Sequence, residues 1–97
     1  MKKNTWTLAI LTTTSLMAAD GSALFQKCTV CHGIKAEKRA LGRSDVIQGW
    51  REGKIISELK EFRDEKVDED AMIMKAQVKG LSDDEIQALA KYITTLK

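Results

Sequence analysis

The sequence has no proline, a single histidine and only two cysteines among its 97 residues. A structural zinc site needs four Cys or His ligands, and three such residues are too few to form one. The chain also lacks a second cysteine pair, so it has no disulfide framework of the kind that stabilises many small exported domains. No segment alternates apolar and polar residues as a half-buried strand does. These absences favour an all-α chain stabilised in some other way.

The two cysteines and the histidine lie together in the segment Cys28-Thr29-Val30-Cys31-His32. The pattern C-x-x-C-H is typical of the covalent attachment of a c-type haem. Residues three positions apart in a helix lie about one turn apart, so both thiols reach the two vinyl groups on one edge of a haem. The next residue then offers its imidazole to the iron. The motif therefore predicts one covalent haem c, attached through Cys28 and Cys31, with His32 as an axial ligand.

Two other interpretations of the cysteine pair need to be weighed. A thioredoxin-like redox pair is expected in a βαβ context, which this sequence does not show. A structural disulfide suits an oxidising compartment, but it leaves His32 without a role. A thiol–disulfide protein without haem would contain free thiols or a disulfide and would have no visible absorbance.

Residues 1–19 have the layout of a secretory signal peptide. Lys2 and Lys3 form the charged start, residues 5–17 are uncharged and largely apolar, and Ala19 precedes the first acidic residue. The apolar stretch is short for a membrane span, which takes about 20 residues. We expect cleavage after Ala19, which gives a signal peptide at 1–19, a haem-binding domain at 20–97 and a periplasmic location. An uncleaved anchor is the alternative.

Cleavage at this position changes both the charge and the size of the chain. It removes Lys2 and Lys3, two of the 16 basic side chains, and leaves 14 basic against 14 acidic side chains in 78 residues. The basic isoelectric point is therefore no indication of nucleic-acid binding. Below about 70–80 residues a protein core alone is marginal. We expect the apolar macrocycle of the haem to lie at the centre of the core.

Apolar spacing predicts a helix at 22–31 that ends at Gly33 in the left-handed αL conformation, and a second helix at 51–62. Between them lies a loop at 34–49. The acidic segment 64–70 is expected to be solvated surface. An apolar patch at 71–78 follows.

The last helix is the best-defined element of the sequence. Ser82 and Glu85 form a capping box at its start. Its apolar stripe consists of Ile86, Leu89, Ala90, Ile93 and Leu96. The chain shows no repeat, low-complexity tract or linker, so we expect a single domain after the signal peptide.

The sixth position of the iron is open to a methionine, a second histidine, a lysine, an amine terminus or water, or it stays vacant, and no second histidine exists. After cleavage only Met72 and Met74 remain as methionines, both within the apolar patch. A thioether favours ferrous iron, so His/Met ligation raises the reduction potential. Residues two apart point in different directions, so we expect one methionine to bind and the other to pack. Spacing alone does not choose between them, and flexible core filling is the alternative role for both.

Three further contacts are expected around the haem. The Nδ1–H of His32 needs an acceptor, for which we expect a backbone carbonyl in the loop 38–43. Trp50 packs on the haem edge, donates its indole N–H to a propionate, or is a partly buried core residue. Arg43 and Arg51 either pair with propionates or are plain surface charges.

Both ends of the chain resemble small bacterial class I cytochromes c, whereas the middle resembles them only loosely. The opening similarity runs from Asp20-Gly21-Ser22-Ala23-Leu24-Phe25 into the haem motif and Gly33. The closing similarity runs from Met74 to Glu85 and continues through Ala90-Lys91-Tyr92-Ile93.

This resemblance implies the all-α class I cytochrome c fold, about four short helices packed around one covalent haem c. It implies that Met74 is the second axial ligand. It also implies that Gly21 and Phe25 lie where the first and last helices cross, against residues such as Tyr92. Many members of the family have a proline after the motif whose carbonyl accepts from the histidine, and this chain has none. Some have a proline where this chain has Met72, which leaves Met72 as an alternative ligand.

The predicted function is that of a soluble periplasmic one-electron carrier, not an enzyme, in which the haem iron cycles between Fe(III) and Fe(II). Its partners would be redox proteins such as a terminal oxidase, a cytochrome c peroxidase, an upstream cytochrome or a dehydrogenase. We expect a monomer without nucleic-acid binding or stable membrane insertion after cleavage. The alternative is a haem-based gas sensor or small haem enzyme with a displaceable sixth ligand, although the chain offers no distal histidine.

Charge patterning suggests how such a partner docks. Basic side chains outnumber acidic ones around the motif; they are Lys27, Lys35, Lys38, Arg39 and Arg43. With the acidic segment 64–70 elsewhere on the surface, this arrangement gives a charge dipole that steers a partner with an acidic face.

Overall fold

The computed structural model describes residues 19–97, so the predicted signal peptide lies outside the described residues except for Ala19. Within this part of the chain there are helices and 3₁₀ turns but no strands, which confirms the all-α prediction. The α-helices are α1 (Gly21–Phe25), α2 (Thr29–His32), α3 (Glu52–Asp64), α4 (Met72–Val78) and α5 (Asp83–Ile93). None of the helices described is both long enough and apolar enough to cross a membrane.

The predicted first helix is a nearly continuous helical segment, because the 3₁₀ turn Gln26–Cys28 joins α1 to α2. Asp20 caps its start, where Oδ1 accepts from the N–H of Ser22 at 3.0 Å. The segment ends at Gly33 as expected, with φ 90° but ψ 158°, so the conformation is not αL. After Gly33 the chain reverses direction, and the N–H of Lys38 donates to the carbonyl of His32 at 2.8 Å.

The helices predicted at 51–62 and after Ser82 are both confirmed. The structure places the former at Glu52–Asp64, with Ile55 and Leu59 buried on one face. At the start of α5, Ser82 Oγ accepts from the Glu85 N–H at 3.1 Å, and Glu85 Oε1 accepts from the Ser82 N–H at 2.9 Å. The capping box therefore exists as predicted and satisfies two amides that the helix itself leaves unpaired.

The apolar patch at 71–78 forms a helix that periodicity did not indicate. A 3₁₀ turn, Glu69–Ala71, leads into α4, and the side chain of Asp68 accepts from the N–H of Ala71. Val78 is the buried residue of α4. Since α4 packs mainly against α3, its position depends on tertiary contacts.

The core forms where α1 crosses α5 and α3 packs on α5. Gly21 lies so close to α5 that a Cβ there would meet the carbonyl of Ala88 and, at 2.8 Å, the Cβ of Tyr92. Phe25 is 1% exposed, and its ring centroid lies 5.7 Å from that of Tyr92. The crossing therefore occurs at the residues that the family resemblance implies.

Ser82→Ala is expected to lower the free energy of unfolding by about 1 kcal/mol, because it removes the acceptor that caps α5. Denaturant unfolding of the purified holoprotein measures this change. The matched control is Ser57→Ala, an exposed serine within α3. The control should raise stability slightly, by at most about 0.7 kcal/mol, since alanine is the better helix former. Equal effects of the two substitutions would contradict a capping role for Ser82.

Candidate functional site

A cavity of about 700 Å³ opens between the haem-motif segment, α3, α4 and α5. This volume lies within the range of about 300–1,000 Å³ that is typical of ligand and cofactor pockets. Its interior is lined by apolar side chains from several helices: Phe25, Leu59, Phe62, Val78, Leu89 and Ile93. The helices thus leave an apolar space at the centre of the molecule.

The predicted attachment residues and ligands meet in this cavity. Cys28, Cys31, His32 and Met74 all line it, whereas Met72 does not. The cavity is therefore apolar but carries two thiols, one imidazole and one thioether. This set of side chains fits a covalently attached haem with two axial ligands.

Both cysteines are free and partly buried, on successive turns of one helical segment. Burial raises the pKa of the Cys28 thiol, with a smaller contribution from the proximity of Cys31, and this outweighs the opposing charge of Lys27. The thiol of Cys28 is therefore kept protonated at neutral pH. In the described structure the pair consists of two thiols facing one cavity rather than a disulfide.

His32 is the last residue of α2 and is 7% exposed. Burial lowers the pKa of its imidazole, which favours the neutral form that binds metals. Its Nδ1 is buried and has no hydrogen-bond partner within the described part of the chain. An unsatisfied buried polar atom costs about 1–3 kcal/mol. Such atoms in native structures commonly mark a functional site.

The expected acceptor for this nitrogen, a backbone carbonyl in the loop 38–43, is not found. The loop forms the 3₁₀ turn Ala40–Gly42, and the carbonyls of Arg39 and Ala40 are used within that turn. Arg39 accepts from the N–H of Gly42 at 3.1 Å, and Ala40 accepts from the N–H groups of Arg43 and Ser44. The sequence prediction failed because it had no information about this local pairing.

The two methionines differ in their surroundings. Met74 is partly buried and packs against the core, one turn before the buried Val78. Met72 is 52% exposed. Two positions in a helix correspond to about 200° of rotation, so one side chain reaches the cavity and the other meets solvent. We had expected the second methionine to pack, and instead it is half exposed.

Part of the rim of the cavity is apolar. Val30, Leu41 and Ile73 line it although they are 85%, 62% and 54% exposed. Leu41 also has φ 55°, in the left-handed region that costs a residue other than glycine about 1–2 kcal/mol. Exposed apolar side chains at the mouth of a pocket are typical of surfaces that meet another molecule.

The charges at this rim differ from the expected dipole. Asp68, Glu69 and Asp70 line the same cavity as Lys27 and Arg43. Arg43 Nη1 lies 3.2 Å from Asp70 Oδ1, in a pair that is largely exposed. The acidic segment lies beside the basic loop because it leads directly into α4, which forms part of the cavity wall. The expectation that it lies elsewhere on the surface was wrong.

Two of the expected haem contacts are absent from the cavity. Trp50 does not line it; instead the indole packs against the core, with Lys54 Nζ 4.4 Å from the ring centroid. Arg51 is an exposed residue that precedes α3. Only Arg43 of the three reaches the cavity. Conversely, the cavity is lined by Ile47 and Gln77, which the sequence analysis did not single out, although Gln77 lies three positions after Met74 in α4.

The sequence is similar to those of known proteins. The family model described as "Cytochrome c" matches residues 18–97. Cytochrome c-553 of Helicobacter pylori strain 26695 is 45% identical over 98 residues, covering 100% of both chains. Cytochrome c-553 of Helicobacter pylori strain J99 is 44% identical over 98 residues, again over 100% of both chains. Cytochrome c-553 of Nitratidesulfovibrio vulgaris strain Miyazaki F is 36% identical over 81 residues, which cover 82% of this chain and 79% of that protein.

Proposed function

The chain belongs to the cytochrome c family, and from this we propose that it is a soluble periplasmic protein that passes single electrons between redox partners. Haem c is its cofactor and electron transfer is its function, as the family and the CXXCH motif together establish. The resemblance to class I cytochromes c is confirmed. The observation that carries the proposal is that two thiols, an imidazole and a thioether share one apolar cavity.

In this proposal Cys28 and Cys31 hold the haem covalently, and His32 and Met74 bind the iron. When bound, haem c supplies reversible one-electron chemistry at the iron, with a potential set by the axial ligands and by burial. Burial of His32 keeps its imidazole neutral. The thioether of Met74 is neutral as well, so the protein places no charged ligand in the cavity.

The apolar walls also contribute to electron transfer. Phe25, Leu59, Leu89 and Ile93 close the inner side of the cavity and exclude water from it. An environment with little mobile water reorganises little when the charge at the site changes. The exposed rim formed by Val30, Leu41 and Ile73 gives a redox partner a place of close approach.

The location and boundaries of the protein form part of this proposal. The charged and apolar layout of residues 1–19 supports export, followed by cleavage after Ala19. The matched family region begins at residue 18, just before the proposed cleavage site. We assign residues 20–97 to the cytochrome c domain and place it in the periplasm as a monomer. No enzymatic role is proposed, because both axial positions are assigned to protein ligands.

Potentiometric titration of the exported holoprotein, followed by its visible spectrum, tests the proposal. We expect one reversible one-electron transition and only slow binding of carbon monoxide to the reduced protein at neutral pH, since Met74 occupies the sixth position. The matched control is the double variant Cys28→Ala/Cys31→Ala, which should contain no covalently bound haem. Mass spectrometry of the mature chain should give Asp20 as its first residue.

Rapid binding of carbon monoxide would contradict stable methionine ligation and would favour the gas sensor or haem enzyme. A mature chain that retains residues 1–19 would contradict the soluble periplasmic form and favour an anchored protein. Haem attachment in the control double variant would contradict the assignment of the two cysteines.

A further inference from the structure

Lys75 directly follows Met74 but does not line the cavity. Its side chain instead binds the end of α3. Nζ donates to the backbone carbonyls of Phe62 at 3.2 Å, Arg63 at 3.0 Å and Glu65 at 2.9 Å. An ammonium group has three donors, and all three are used here.

These acceptors are the groups that a helix leaves unsatisfied at its C-terminal end. The helix dipole places partial negative charge there, so a cation is stabilised at this position. Hydrogen bonds from a charged donor are also stronger than those between neutral groups. Lys75 therefore closes the end of α3 and ties α4 to it through one partly buried side chain.

Helix α4 depends on such anchors. It has only seven residues, far fewer than the about 12–15 that an isolated helix needs to be even marginally stable in water. Val78 is its one buried residue. At its other end Lys27 Nζ donates to the carbonyl of Gln77 at 2.9 Å. The position of α4, and with it that of Met74, is set by contacts with other elements.

The segment after α4 is fastened to the same end of α3. Arg63 Nη1 donates to the carbonyl of Leu81 at 3.0 Å, and Nη2 lies 2.8 Å from Asp83 Oδ1. The side chain of Arg63 is only 17% exposed. The end of α3 thus holds α4, through Lys75, and also the segment after α4, and Lys75 is the contact nearest to Met74.

We propose that Lys75 is a positioning residue that holds Met74 in the cavity and so determines how firmly this methionine keeps its place as a ligand. The inference rests on the proposed function, in which Met74 binds the iron. Loss of the Lys75 ammonium releases the first turn of α4 from α3 and lowers the fraction of molecules with Met74 in place. An external ligand that competes for the same position then binds more tightly, in proportion to that loss.

Imidazole titration of the ferric holoprotein, followed by its visible spectrum, measures this competition. In Lys75→Gln we expect imidazole to bind about tenfold more tightly, the equivalent of losing about one hydrogen bond to a charged group. The reduction potential should fall as well, because a weaker hold on the thioether favours the ferric state. Lys75→Arg keeps a cation with several donors and should restore most of the wild-type behaviour.

Two controls separate positioning from general destabilisation. Lys79→Gln removes an exposed lysine next to α4 whose side chain makes no hydrogen bond or ion pair with other described residues, and it should behave as wild type. Ser82→Ala weakens α5 instead and should leave imidazole affinity unchanged. An equal increase in imidazole affinity in Ser82→Ala would overturn the inference, as would a Lys75→Gln protein that matches Lys79→Gln.

Met74→Ala, measured in parallel, separates this inference from the proposed function. If Met74→Ala changes the spectrum but Lys75→Gln leaves imidazole affinity unchanged, only the positioning role is overturned. If Met74→Ala leaves the spectrum unchanged, the ligand assignment is wrong and the proposed role of Lys75 is wrong as well.

Should Lys75→Gln fail to retain a folded haem protein, the comparison of Lys75→Arg with Lys79→Arg decides whether Lys75 positions Met74. Imidazole affinity in Lys75→Arg alone should then change slightly, since a planar guanidinium does not reproduce the three contacts of an ammonium. Identical affinities would overturn the proposal.

Discussion

Met74→Ala is expected to lower the reduction potential of the holoprotein by on the order of 100 mV, because the identity of the axial ligands sets haem potentials over a range of about 0.8 V. A thioether stabilises ferrous iron, and alanine leaves the sixth position to water or to an external ligand. The spectrum of the ferric protein should change from that of low-spin, methionine-ligated haem. Carbon monoxide should bind the reduced variant rapidly.

Met72→Ala is the matched control for this substitution. The two methionines share one helix, but Met72 is 52% exposed and does not line the cavity. Its replacement should leave the spectrum and the potential at their wild-type values. If Met72→Ala removed the methionine-ligated spectrum while Met74→Ala kept it, Met72 would be the ligand and the family resemblance would have misled the assignment.

The sequence alone does not decide which of the two methionines, Met72 or Met74, binds the iron. The absence of a second histidine and the motif at 28–32 predict that one of two methionines binds iron, but not which one. The choice depends on which side of α4 meets the cavity, and α4 itself was not predicted. Seven residues are too few for helical periodicity to be distinguished. The helix is held by Lys75 and by packing against α3, contacts between positions far apart in the chain.

Features that depend on local chemistry were predicted well. The capping box of Ser82 and Glu85 involves residues three apart, and its two hydrogen bonds are both present. The placement of the two cysteines and His32 on one helical segment was also predicted. It depends only on their spacing in the sequence and on no tertiary contact. That a methionine joins them was inferred from the shortage of other ligands, and the family resemblance implied that it is Met74, which lines the same cavity.

Features that depend on the path of the chain were predicted poorly. The Nδ1 of His32 lacks its expected acceptor in the loop 38–43, where the carbonyls of Arg39 and Ala40 pair within a 3₁₀ turn. Trp50 takes the last of its expected roles and packs against the core, a choice that the sequence left open. The acidic segment lies next to Arg43 rather than apart from it. Each of these outcomes depends on the path that a loop takes between two helices. Composition and residue spacing carry little information about the path of a loop.

Gly21→Ala is expected to lower the free energy of unfolding by about 2–3 kcal/mol, in the range typical of overpacking a close contact. For a domain of this size that corresponds to a fall in melting temperature of roughly 10–20 °C. A Cβ at Gly21 would lie 2.8 Å from the carbonyl carbon of Ala88 and from the Cβ of Tyr92, and closer still to the Ala88 carbonyl oxygen. The obstacle is mostly the backbone of α5, which does not move aside as a flexible side chain does.

Gly53→Ala is the control, and it should change stability in the opposite direction. Gly53 is exposed within α3, and a Cβ there has nothing within 4 Å. Gly53 lies in the first turn of α3, where alanine in place of glycine adds up to about 0.5–1 kcal/mol by reducing the freedom of the unfolded chain. Thermal unfolding of the two holoproteins under identical conditions gives both values. Because both substitutions add the same methyl group, a difference in sign isolates the crossing of α1 and α5 as the cause. A Gly21→Ala protein as stable as Gly53→Ala would show that the two helices separate at little cost, and that the bound haem contributes more to stability than this crossing does.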